Sequence, residues 1–577
     1  MYVGVDVGGT YTDAALLDGG RVLATAKVPT RKEELIGSIL EAMDNVLENV
    51  DKSKLKKIIF STTMITNLIA ERKFDDVDLL LIPGPGLSHA YYKLKPNIHI
   101  LSGAIDFRGR ETVRLNEQEI LSTISEIAGK GIRNVGVIGK FSPRNTSHEK
   151  YVASIISGKY PEWQIEVGSR IASQLNFPRR VETTYLTCAT RAPYRYFINS
   201  VRQALEYRKI SAEVFILKAD GGTLPLEGSE ELPVETIFSG PAASTLGVLA
   251  LAPPGETAVV VDIGGTTTDL ALILSGEPLL SSKGAKVMEQ FTQVRALAVK
   301  SIAVGGDSAL KKVGSKISIS PNRLGPAFCM GGPAPTPTDA LRTLGLSTIG
   351  EREKAVEAMA ILGESLGMSA VEAARIVTGQ VVDMITAEID NMFLEWEQEP
   401  AYRVWEVLQK HKVRPDIIAG VGGGSEGFVE QIATKMGCAP FIPAHAAVAN
   451  AIGAAVAMPT MQVSLRADTE QGYYIIKEEA YQEKIRGRSF NEQRALDLAK
   501  KSLIEWAARY GLEVKPEEIE VTHQEVFNMI RGWNTSGRLI DVTVQTPRGI
   551  AYKVGNGGIL NEKNERQANR PNIFPCF

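Results

Sequence analysis

The chain has 577 residues, of which 44% are hydrophobic and 23% are charged, and its formal net charge is −3. A single hydrophobic core stops growing at roughly 250–300 residues, so we expect about three domains. The composition is that of a soluble globular protein, and the balanced charge offers no overall basic field to nucleic acid or to an anionic membrane. We therefore predict neither a nucleic-acid partner nor a membrane.

Cysteine usage and the apolar segments predict a cytoplasmic protein. The four cysteines lie far apart, at Cys188, Cys329, Cys438 and Cys576. No Cys-X-X-Cys pair is present, which argues against a zinc cluster or a disulfide framework and favours reduced thiols. No run reaches the ~20 apolar residues of a membrane span, and the first residues lack the pattern of a secretory signal.

Two distant segments of the chain repeat one pattern. Residues 6–13 read Asp-Val-Gly-Gly-Thr-Tyr-Thr-Asp, and residues 262–269 read Asp-Ile-Gly-Gly-Thr-Thr-Thr-Asp, identical at six of eight positions. Apolar residues precede and follow each copy, which predicts a strand, a tight glycine turn and a second strand in both places. Two such hairpins so far apart indicate two halves of the molecule with similar beginnings.

After the hairpins, helical and strand patterns alternate, which favours an α/β architecture. The predicted elements are a helix over 35–50, strands over 58–61, 77–82 and 135–138, helices over 351–366 and 370–396, a strand over 415–419 and a helix over 426–436. Beyond residue 460, a helix over 490–511 and strands over 518–521 and 539–544 predict a small α+β domain. A poorly ordered tail is expected from residue 555.

The repeated turn has the composition of a phosphate-binding loop. Its glycines let the backbone approach a phosphate closely, and its threonines add hydroxyl donors. The first aspartate of each copy suits a hydrated Mg²⁺ ion, which prefers oxygen ligands and retains waters. One copy alone is compatible with an ordinary hairpin turn, but two copies with an acid at both ends favour a site that holds ATP from two sides. The predicted phosphate-binding residues are Gly8, Gly9, Thr10, Thr12, Gly264, Gly265, Thr266 and Thr267, and the predicted Mg²⁺-binding residues are Asp6 and Asp262.

Five further polar residues are candidates for catalysis. The second aspartates of the turns, Asp13 and Asp269, could act as a base or orient a nucleophile, and pairing with a cation or capping a turn is an equally good interpretation. Thr62, Thr63 and Asn67 follow a predicted buried strand, where the crevice of an α/β sheet opens. A helix N-cap at Thr62 or Thr63 is the alternative there.

A third glycine-rich segment, Gly420-Val-Gly-Gly-Gly-Ser425, lies between a predicted strand and a predicted helix. A loop of this kind can pass against a purine and a ribose, although the simple beginning of a helix is equally compatible with it. The candidates for contact with the adenosine of ATP are Gly422, Gly423, Gly424 and Ser425.

Two phosphate turns followed by an adenosine loop resemble the superfamily of actin, sugar kinases and the heat-shock ATPases. More specifically, the chain is similar to the hydantoinase A/5-oxoprolinase family, of N-methylhydantoinase type, from residue 1 to about residue 460. Besides the two turns, the segments that carry this resemblance are Ser61-Thr-Thr-Met-Ile-Thr-Asn67, Asn145-Thr-Ser-His-Glu149, Ser239-Gly-Pro-Ala-Ala243, Gly325-Pro-Ala-Phe-Cys-Met-Gly-Gly332 and Pro335-Thr-Pro-Thr-Asp339.

The resemblance implies an α/β fold of two ribonuclease-H-like domains, of the actin/sugar-kinase type, with a nucleotide cleft between them. The expected domains are an N-terminal hydantoinase/oxoprolinase-type ATPase domain over 1–180, a second ATPase-type domain over 181–460, and a small α+β C-terminal domain with its tail over 461–577. It also implies that Gly305 and Gly306, which stand where the family has a longer glycine run, belong to the nucleotide site.

The activity that the resemblance implies is the ATP-dependent hydrolysis of a cyclic amide such as a hydantoin or 5-oxoproline. ATP, with Mg²⁺, would phosphorylate the carbonyl oxygen, and water would then attack. The expected partners are a small cyclic amide or carbonyl substrate, a second subunit of the hydantoinase B type, and further copies of this chain in a homo-oligomer. Three alternatives stay open: an ATPase switch acting on a partner protein, a small-molecule phosphotransferase, and an ATP-dependent carboxylase subunit.

Overall fold

The computed structural model describes residues 1–31, 34–70, 72–86, 97–253, 255–398, 413–479, 481–485, 490–532 and 534–555. In chain order the strands are β1 Tyr2–Val7, β2 Tyr11–Asp18, β3 Arg21–Pro29, β4 Lys57–Thr62, β5 Val77–Ile82, β6 Ile98–Ile100, β7 Ala104–Ile105, β8 Glu111–Val113, β9 Asn134–Gly139, β10 Gln164–Val167, β11 Glu213–Leu217, β12 Thr223–Pro225, β13 Ala258–Ile263, β14 Thr268–Leu274, β15 Glu277–Pro278, β16 Lys286–Val287, β17 Gln290–Phe291, β18 Val299–Ile302, β19 Ser308–Val313, β20 Lys316–Arg323, β21 Ile417–Val421, β22 Ala439–Phe441, β23 Gln462–Asp468, β24 Tyr473–Ile476, β25 Tyr481–Lys484, β26 Glu520–Arg531 and β27 Asn534–Gln545.

The helices follow the same order along the chain. They are α1 Leu35–Val46, α2 Met64–Ala70, α3 Glu117–Gly129, α4 Ser147–Lys159, α5 Gly168–Ile171, α6 Phe177–Tyr207, α7 Leu226–Ser229, α8 Ser239–Leu251, α9 Pro337–Thr343, α10 Arg352–Glu364, α11 Ala370–Glu397, α12 Phe428–Met436, α13 Ala449–Val456 and α14 Glu492–Arg509.

The first sheet has the strand order β12-β11-β4-β1-β2-β3. Strands β1, β2 and β3 form an antiparallel meander, whereas β4 and β11 run parallel to β1. The apolar side chains of β1 are buried on both faces, as expected for a strand in the middle of a covered sheet. The predicted hairpin at residues 2–17 is therefore confirmed.

The second sheet repeats this arrangement. Its order is β15-β14-β13-β21-β22, with β18 also pairing with β14, and β13 is antiparallel to β14 but parallel to β21. The two hairpins even share their register, since Asp6 lies opposite Asp13 and Asp262 lies opposite Asp269. The internal repeat of the sequence thus corresponds to two sheets with one plan.

A parallel sheet, β10-β9-β5-β6, is inserted in the chain between β4 and β11 of the first sheet. Helices α3 and α4 cover one face, and the beginning of α6 covers the other. The predicted boundary at residue 180 falls inside α6, and the first sheet takes β11 and β12 from beyond that residue. The first sheet is therefore formed by two separate parts of the chain, β1 to β4 and β11 to β12, with the inserted sheet between them in the sequence.

Helices α8 and α13 lie between the two main sheets and form one core with both of them. Glycines allow their close approach. A Cβ added at Gly453 would lie 2.0 Å from the carbonyl oxygen of Ala243 in α8, and one added at Gly4 would lie 1.9 Å from the carbonyl oxygen of Ala451 in α13. Any larger residue would push these elements apart. Gly453 therefore sets how near α13 comes to α8, and Gly4 sets how near α13 comes to β1.

The last domain is an antiparallel sheet, β25-β24-β23-β27-β26, with α14 packed on its apolar face. This confirms the predicted α+β character. The strand predicted at 518–521 only overlaps the beginning of β26, whereas the one predicted at 539–544 lies within β27, and both observed strands are 12 residues long. After β27, residues 549–555 return to pack on α8 and the first sheet. The predicted tail beyond residue 555 lies outside the described residues.

Most of the other predicted elements are present with shifted ends. Helix α1 ends at Val46 instead of residue 50, and α12 begins at Phe428 because Gly427 before it has a φ of +85°. Helices α10 and α11 match the two predicted helices closely. Within the described part of the chain, no helix has the length and apolar character needed to cross a membrane.

Candidate functional site

The two repeated turns have the same internal geometry. The amide of Gly8 donates to the carbonyl of Tyr11 at 3.0 Å, and the amide of Gly264 donates to the carbonyl of Thr267 at 2.9 Å. These two amides are therefore committed to closing the turns. The face left for a phosphate belongs to the residues at the tip. Gly9, Gly264 and Thr266 are exposed, and Thr10, Gly265 and Thr267 are partly exposed.

The first aspartates of the two turns meet at a residue from α13. The side-chain amide of Asn450 donates to Oδ2 of Asp6 at 3.2 Å and to Oδ2 of Asp262 at 3.4 Å. The hydroxyl of Ser244, on α8, also donates to Oδ2 of Asp262, at 2.5 Å. Carboxylates that lie 256 positions apart in the chain thus share one small polar region between the sheets.

The surroundings of these carboxylates suit a cation. Burial raises the pKa of Asp6 and that of Asp262, and the charge of Asp262 raises the pKa of Asp6 further. Oδ1 of Asp6 is buried without a hydrogen-bond partner. A divalent cation with bound water would offset the charge and satisfy this atom. Within the described residues, no group of three or more His, Cys, Asp or Glu side chains forms a ready-made metal centre.

The second aspartates of the turns differ from each other. Asp13 forms an ion pair with Lys27, whose Nζ lies 2.8 and 2.9 Å from its two carboxylate oxygens. Burial raises the pKa of Asp13 to about 6 although Lys27 opposes this effect. Burial likewise raises the pKa of Asp269 to about 7, opposed by a hydrogen bond with Ser301. Asp13 therefore has the cation partner that the sequence left open, whereas the partner of Asp269 is the neutral side chain of Ser301.

Thr12 does not face the open side of its turn. Its side chain is fully buried, and its hydroxyl lies 2.9 Å from the hydroxyl of Thr30. The matching residue of the second turn, Thr268, is buried too and donates to the carbonyl of Val304 at 2.7 Å. Both hydroxyls hold the turn to the next segment, so the geometry argues against the predicted phosphate-binding role of Thr12.

Gly305 and Gly306 support the second turn from behind. The amide of Gly306 donates to the carbonyl of Gly264 at 2.9 Å, and a Cβ added at Gly305 would lie 2.6 Å from that same oxygen. The amide of Gly305 donates to the hydroxyl of Ser308. Both residues are buried. These glycines lie against the second turn and let two backbones touch, and their amides are already bonded.

The third glycine-rich segment lies directly against the second turn. A Cβ added at Gly422 would lie 2.5 Å from Oδ1 of Asp262, and the amide of Gly424 donates to the carbonyl of Ile263 at 3.1 Å. Gly423 is exposed with open space beside it, whereas Ser425 is buried and its hydroxyl donates to the carbonyl of Gly422. Gly423 is thus the residue of this loop with a free surface for a ligand.

The polar cluster after β4 divides into structural and accessible members. Thr62 is buried, and its hydroxyl accepts a hydrogen bond from the amide of Met64, the first residue of α2, so it holds the turn before the helix without standing at the N-cap position. The hydroxyl of Thr63 donates to the carbonyl of Val7, at the end of β1. Asn67 is exposed and its amide donates to the hydroxyl of Thr63 at 3.3 Å. Thr63 and Asn67 remain the members that can meet a substrate.

Sequence reasoning missed five residues of this site. Asn450 lies on a helix whose other residues are apolar, and Ser244 lies on a mostly apolar helix, so only the packing of these helices between the sheets shows that both residues contact the aspartates. Lys27 could have been found, because it stands opposite Asp13 in the register of β2 and β3. Arg323 pairs with Asp307 at 2.8 Å, and Oδ2 of Asp307 lies 2.9 Å from the position of a Cβ at Gly265.

Comparison with protein families gives two matches. The model of the hydantoinase/oxoprolinase N-terminal region matches residues 2–159, and the hydantoinase/oxoprolinase model matches residues 180–463. Together these segments contain the two turns, the third glycine-rich loop and Asn450.

Curated relatives include subunits of two kinds of enzyme. The chain is 24% identical over 481 residues to the caprolactamase subunit alpha of Pseudomonas jessenii, covering 75% of this chain and 67% of that one. It is 24% identical over 435 residues to the acetophenone carboxylase gamma subunit of Aromatoleum aromaticum, covering 65% of this chain and 58% of that one. The alignments thus span about three fifths to two thirds of these relatives.

Two solved structures share the fold over almost the whole chain. One is the ATP-dependent caprolactamase from Pseudomonas jessenii, with a TM-score of 0.69 at 19% identity, covering 96% of this chain and 89% of that one. The other is a nucleotide-free acetone carboxylase, with a TM-score of 0.67 at 16% identity, covering 94% of this chain and 87% of that one. At these identities the likeness concerns the mixed α/β fold alone.

Proposed function

Because the chain belongs to the hydantoinase/oxoprolinase family, we propose that it uses ATP to phosphorylate the carbonyl oxygen of a small cyclic amide of the hydantoin or 5-oxoproline type, which water then hydrolyses. The observation that carries this proposal is the meeting of Asp6 and Asp262 on the amide of Asn450. This shared contact places the two glycine turns, which belong to different sheets, beside one small region. Phosphoryl transfer needs mainly positioning and neutralisation of charge. The two turns would supply the positioning, and Mg²⁺ held by the two carboxylates would supply the positive charge.

The strand plan supports a nucleotide cleft between two ribonuclease-H-like halves. Each main sheet contains an antiparallel hairpin, and the first strand of that hairpin also pairs with a parallel strand on its other side. In both sheets the two strands of the hairpin are joined by the repeated turn. Two copies of this plan, joined through α8 and α13, form the arrangement expected for the actin and sugar-kinase type. In this proposal ATP lies between the turns, with the third glycine-rich loop against its adenosine.

The roles of the residues follow from their positions. The tips of the turns, at Gly9 and Thr10 and at Gly265 and Thr266, would bind the phosphates. Asp6 and Asp262 would hold Mg²⁺ through water, and this ion would supply neutralising charge for the phosphates. The carbonyl oxygen of the substrate attacks the terminal phosphorus as the bond to ADP breaks. Water would then attack the carbon that bears the phosphorylated oxygen, and Asp269 would accept the proton of the water. The ring C–N bond would break as the nitrogen takes up this proton and leaves as an amine. A second water would hydrolyse the remaining acyl phosphate to a carboxylate and phosphate.

A related reaction is the second candidate. The acetophenone carboxylase relative and the fold shared with acetone carboxylase favour a ketone as an alternative acceptor of the phosphoryl group. The same residues would then phosphorylate the oxygen of an enolised ketone. Transfer of this phosphoryl group to bicarbonate would release the enolate, whose carbon attacks the CO2 that forms as phosphate leaves. Because relatives of both kinds are named as subunits, we also propose that a second subunit, of the hydantoinase B type, completes the reaction.

The proposal is tested by measuring ADP release from Mg-ATP with the purified chain, with and without lactams, hydantoins, 5-oxoproline and simple ketones. We expect one class of compound to stimulate release and Asp262→Asn to reduce the stimulated rate about 100-fold, a magnitude typical for the loss of one electrostatic group at a reaction centre. Asp390→Asn is the matched control, because Asp390 is exposed on α11 and the same charge is removed.

The class of compound that stimulates ADP release decides between the two candidates. Stimulation by lactams or hydantoins supports the amidohydrolase, and stimulation by ketones supports the carboxylase subunit. Slow release that no compound changes would favour the missing second subunit or a switch acting on a partner protein. A chain that binds no ATP would contradict the proposal altogether.

A further inference from the structure

A cavity of about 280 Å³ lies where the start of α6, the segment before β18 and the C-terminal sheet come together. Four cationic side chains line it: Arg179, Lys283, Arg295 and Arg548. No aspartate or glutamate is among the described residues of its lining, and it shares no residue with the two turns or with the third glycine-rich loop. In a chain with a net charge of −3, this excess of positive charge is local.

The guanidinium groups of the cavity are not neutralised by direct partners. Among the described residues, Arg548 has no hydrogen bond and no salt bridge. The guanidinium of Arg295 donates to the neutral side chains of Gln462 and Gln545. Burial lowers the pKa of Arg548 and the positive charge of Arg295 lowers it further, although Asp220, Glu277 and Glu520 oppose this effect from outside the cavity. The charge of Arg295 therefore destabilises that of Arg548.

The other two cations of the cavity face an aromatic ring instead of an acid. The guanidinium carbon of Arg179 lies 5.3 Å from the centre of the Phe291 ring, and Nζ of Lys283 lies 5.9 Å from it. A ring face attracts cations but leaves their hydrogen-bond donors free. All four cations thus keep donors for a ligand.

These features fit one kind of ligand. A concave surface of one sign of charge concentrates ions of the opposite sign, and guanidinium groups bind carboxylate and phosphate oxygens through paired hydrogen bonds. We propose that this basic cleft, defined by Arg179, Lys283, Arg295 and Arg548, binds a small anion that carries phosphate or carboxylate groups. It is a site separate from the turns, and it goes beyond the function proposed above.

In this proposal, the domain after residue 460 contributes residues to an anion-binding site. Gln462 and Gln545 come from β23 and β27 of the C-terminal sheet and hold Arg295, and Arg548 follows β27 directly. An anion bound here would join this sheet to α6 and to the second half of the molecule. Binding should therefore also raise the unfolding temperature, because only the assembled arrangement holds the anion.

The test is isothermal titration calorimetry of the full-length chain with inorganic phosphate, pyrophosphate and citrate, at constant ionic strength set with NaCl. We expect at least one of these anions to bind at one site per chain. Arg548→Gln and Lys283→Gln should each weaken binding about tenfold or more, because each removes a charge-assisted hydrogen bond. Phosphate or pyrophosphate binding without citrate binding identifies a phosphate ligand, and the reverse identifies a carboxylate.

Two control variants locate the site. Lys311→Gln removes the same charge as Lys283→Gln from an exposed position on β19 and should leave binding unchanged. Asp262→Asn should also leave it unchanged, since the turns are elsewhere. Lys283 is itself exposed, so its variant tests the site without a risk to folding. The proposal is overturned if no anion binds, if Arg548→Gln and Lys283→Gln bind as tightly as the original chain, or if Asp262→Asn alone abolishes binding.

Discussion

Among the described residues, Asn450 is the side chain that donates hydrogen bonds to the first aspartates of both turns. It lies on α13, between the sheets, and its amide is shared by Asp6 and Asp262. A neutral donor placed between two buried carboxylates holds them in position without contributing a charge of its own. Its role in the proposed function is therefore to position the groups that would hold Mg²⁺.

We predict that Asn450→Ala raises the Mg²⁺ concentration needed for half-maximal binding of a fluorescent ATP analogue by about tenfold, since partners that orient metal ligands typically contribute 10–100-fold to affinity. Binding of the analogue without Mg²⁺ should change little. Asn528→Ala, on the exposed face of β26, is the control. An unchanged Mg²⁺ dependence in Asn450→Ala would show that this amide does not position the carboxylates.

The residue scale also shows where sequence reasoning was incomplete. Asp6 and Asp262 were singled out by the repeated motif and Gly422 by the third glycine-rich segment, and the structure places all three together. Thr12 has the same residue type as Thr10 but is buried, because Thr12 lies within β2 whereas Thr10 lies in the turn before that strand. A motif specifies which residues are present, whereas the register decides which of them face the ligand.

At the scale of elements, the packing of α13 on α8 determines where Asn450 lies. Gly453 in α13 faces the backbone of α8 so closely that a Cβ would lie 2.0 Å from the carbonyl oxygen of Ala243 and 2.4 Å from the amide of Gly247. Contacts of this kind cannot be relieved by turning a side chain. The two helices would have to move apart, and Asn450 would move with α13.

We predict that Gly453→Ala lowers the free energy of unfolding by about 1–3 kcal/mol or more, as is typical of overpacked cores, and weakens Mg-dependent nucleotide binding. Gly158→Ala is the matched control, because Gly158 is an exposed helical glycine of α4 with open space around it. There, alanine should stabilise the chain by up to about 1 kcal/mol. Urea unfolding measures both, and equal stability of Gly453→Ala and the original chain would contradict the close packing described here.

On the scale of the whole molecule, the end of the described chain ties the C-terminal domain to the first half. Ile550 is buried in the core around α8, and the ring of Tyr552 lies 6.0 Å from that of Tyr2 in β1. Nζ of Lys553 donates to the carbonyl of Leu249 at 2.7 Å. The domain that follows residue 460 is therefore not an independent appendage.

We predict that a chain ending at residue 548 is less stable than one ending at residue 555 by about 2–4 kcal/mol, because it exposes the apolar surface that Ile550 and Tyr552 bury. Thermal unfolding of the two truncated chains measures the difference. The chain ending at 555 is the reference, since it retains every one of these contacts. Equal unfolding temperatures would show that residues 549–555 contribute nothing to the core.

The sequence by itself determined the repeated hairpins, the alternation of helices and strands, the small α+β domain at the end and the resemblance to the family. These features are local: a glycine turn, a period of apolar residues or a motif is complete within a few neighbouring positions. The same holds for the candidates Asp6, Asp13, Asp262 and Asp269, which the repeat itself identified.

Only the tertiary structure decided which of these residues act together. It brought Asn450 to Asp6 across 444 positions of sequence, paired Asp13 with Lys27, and showed that Gly305 and Gly306 support the second turn through backbone contact. It also assembled the basic cleft from three separate parts of the chain. The physical reason is that contacts between distant segments depend on how sheets and helices pack, and no local pattern in the sequence specifies that packing.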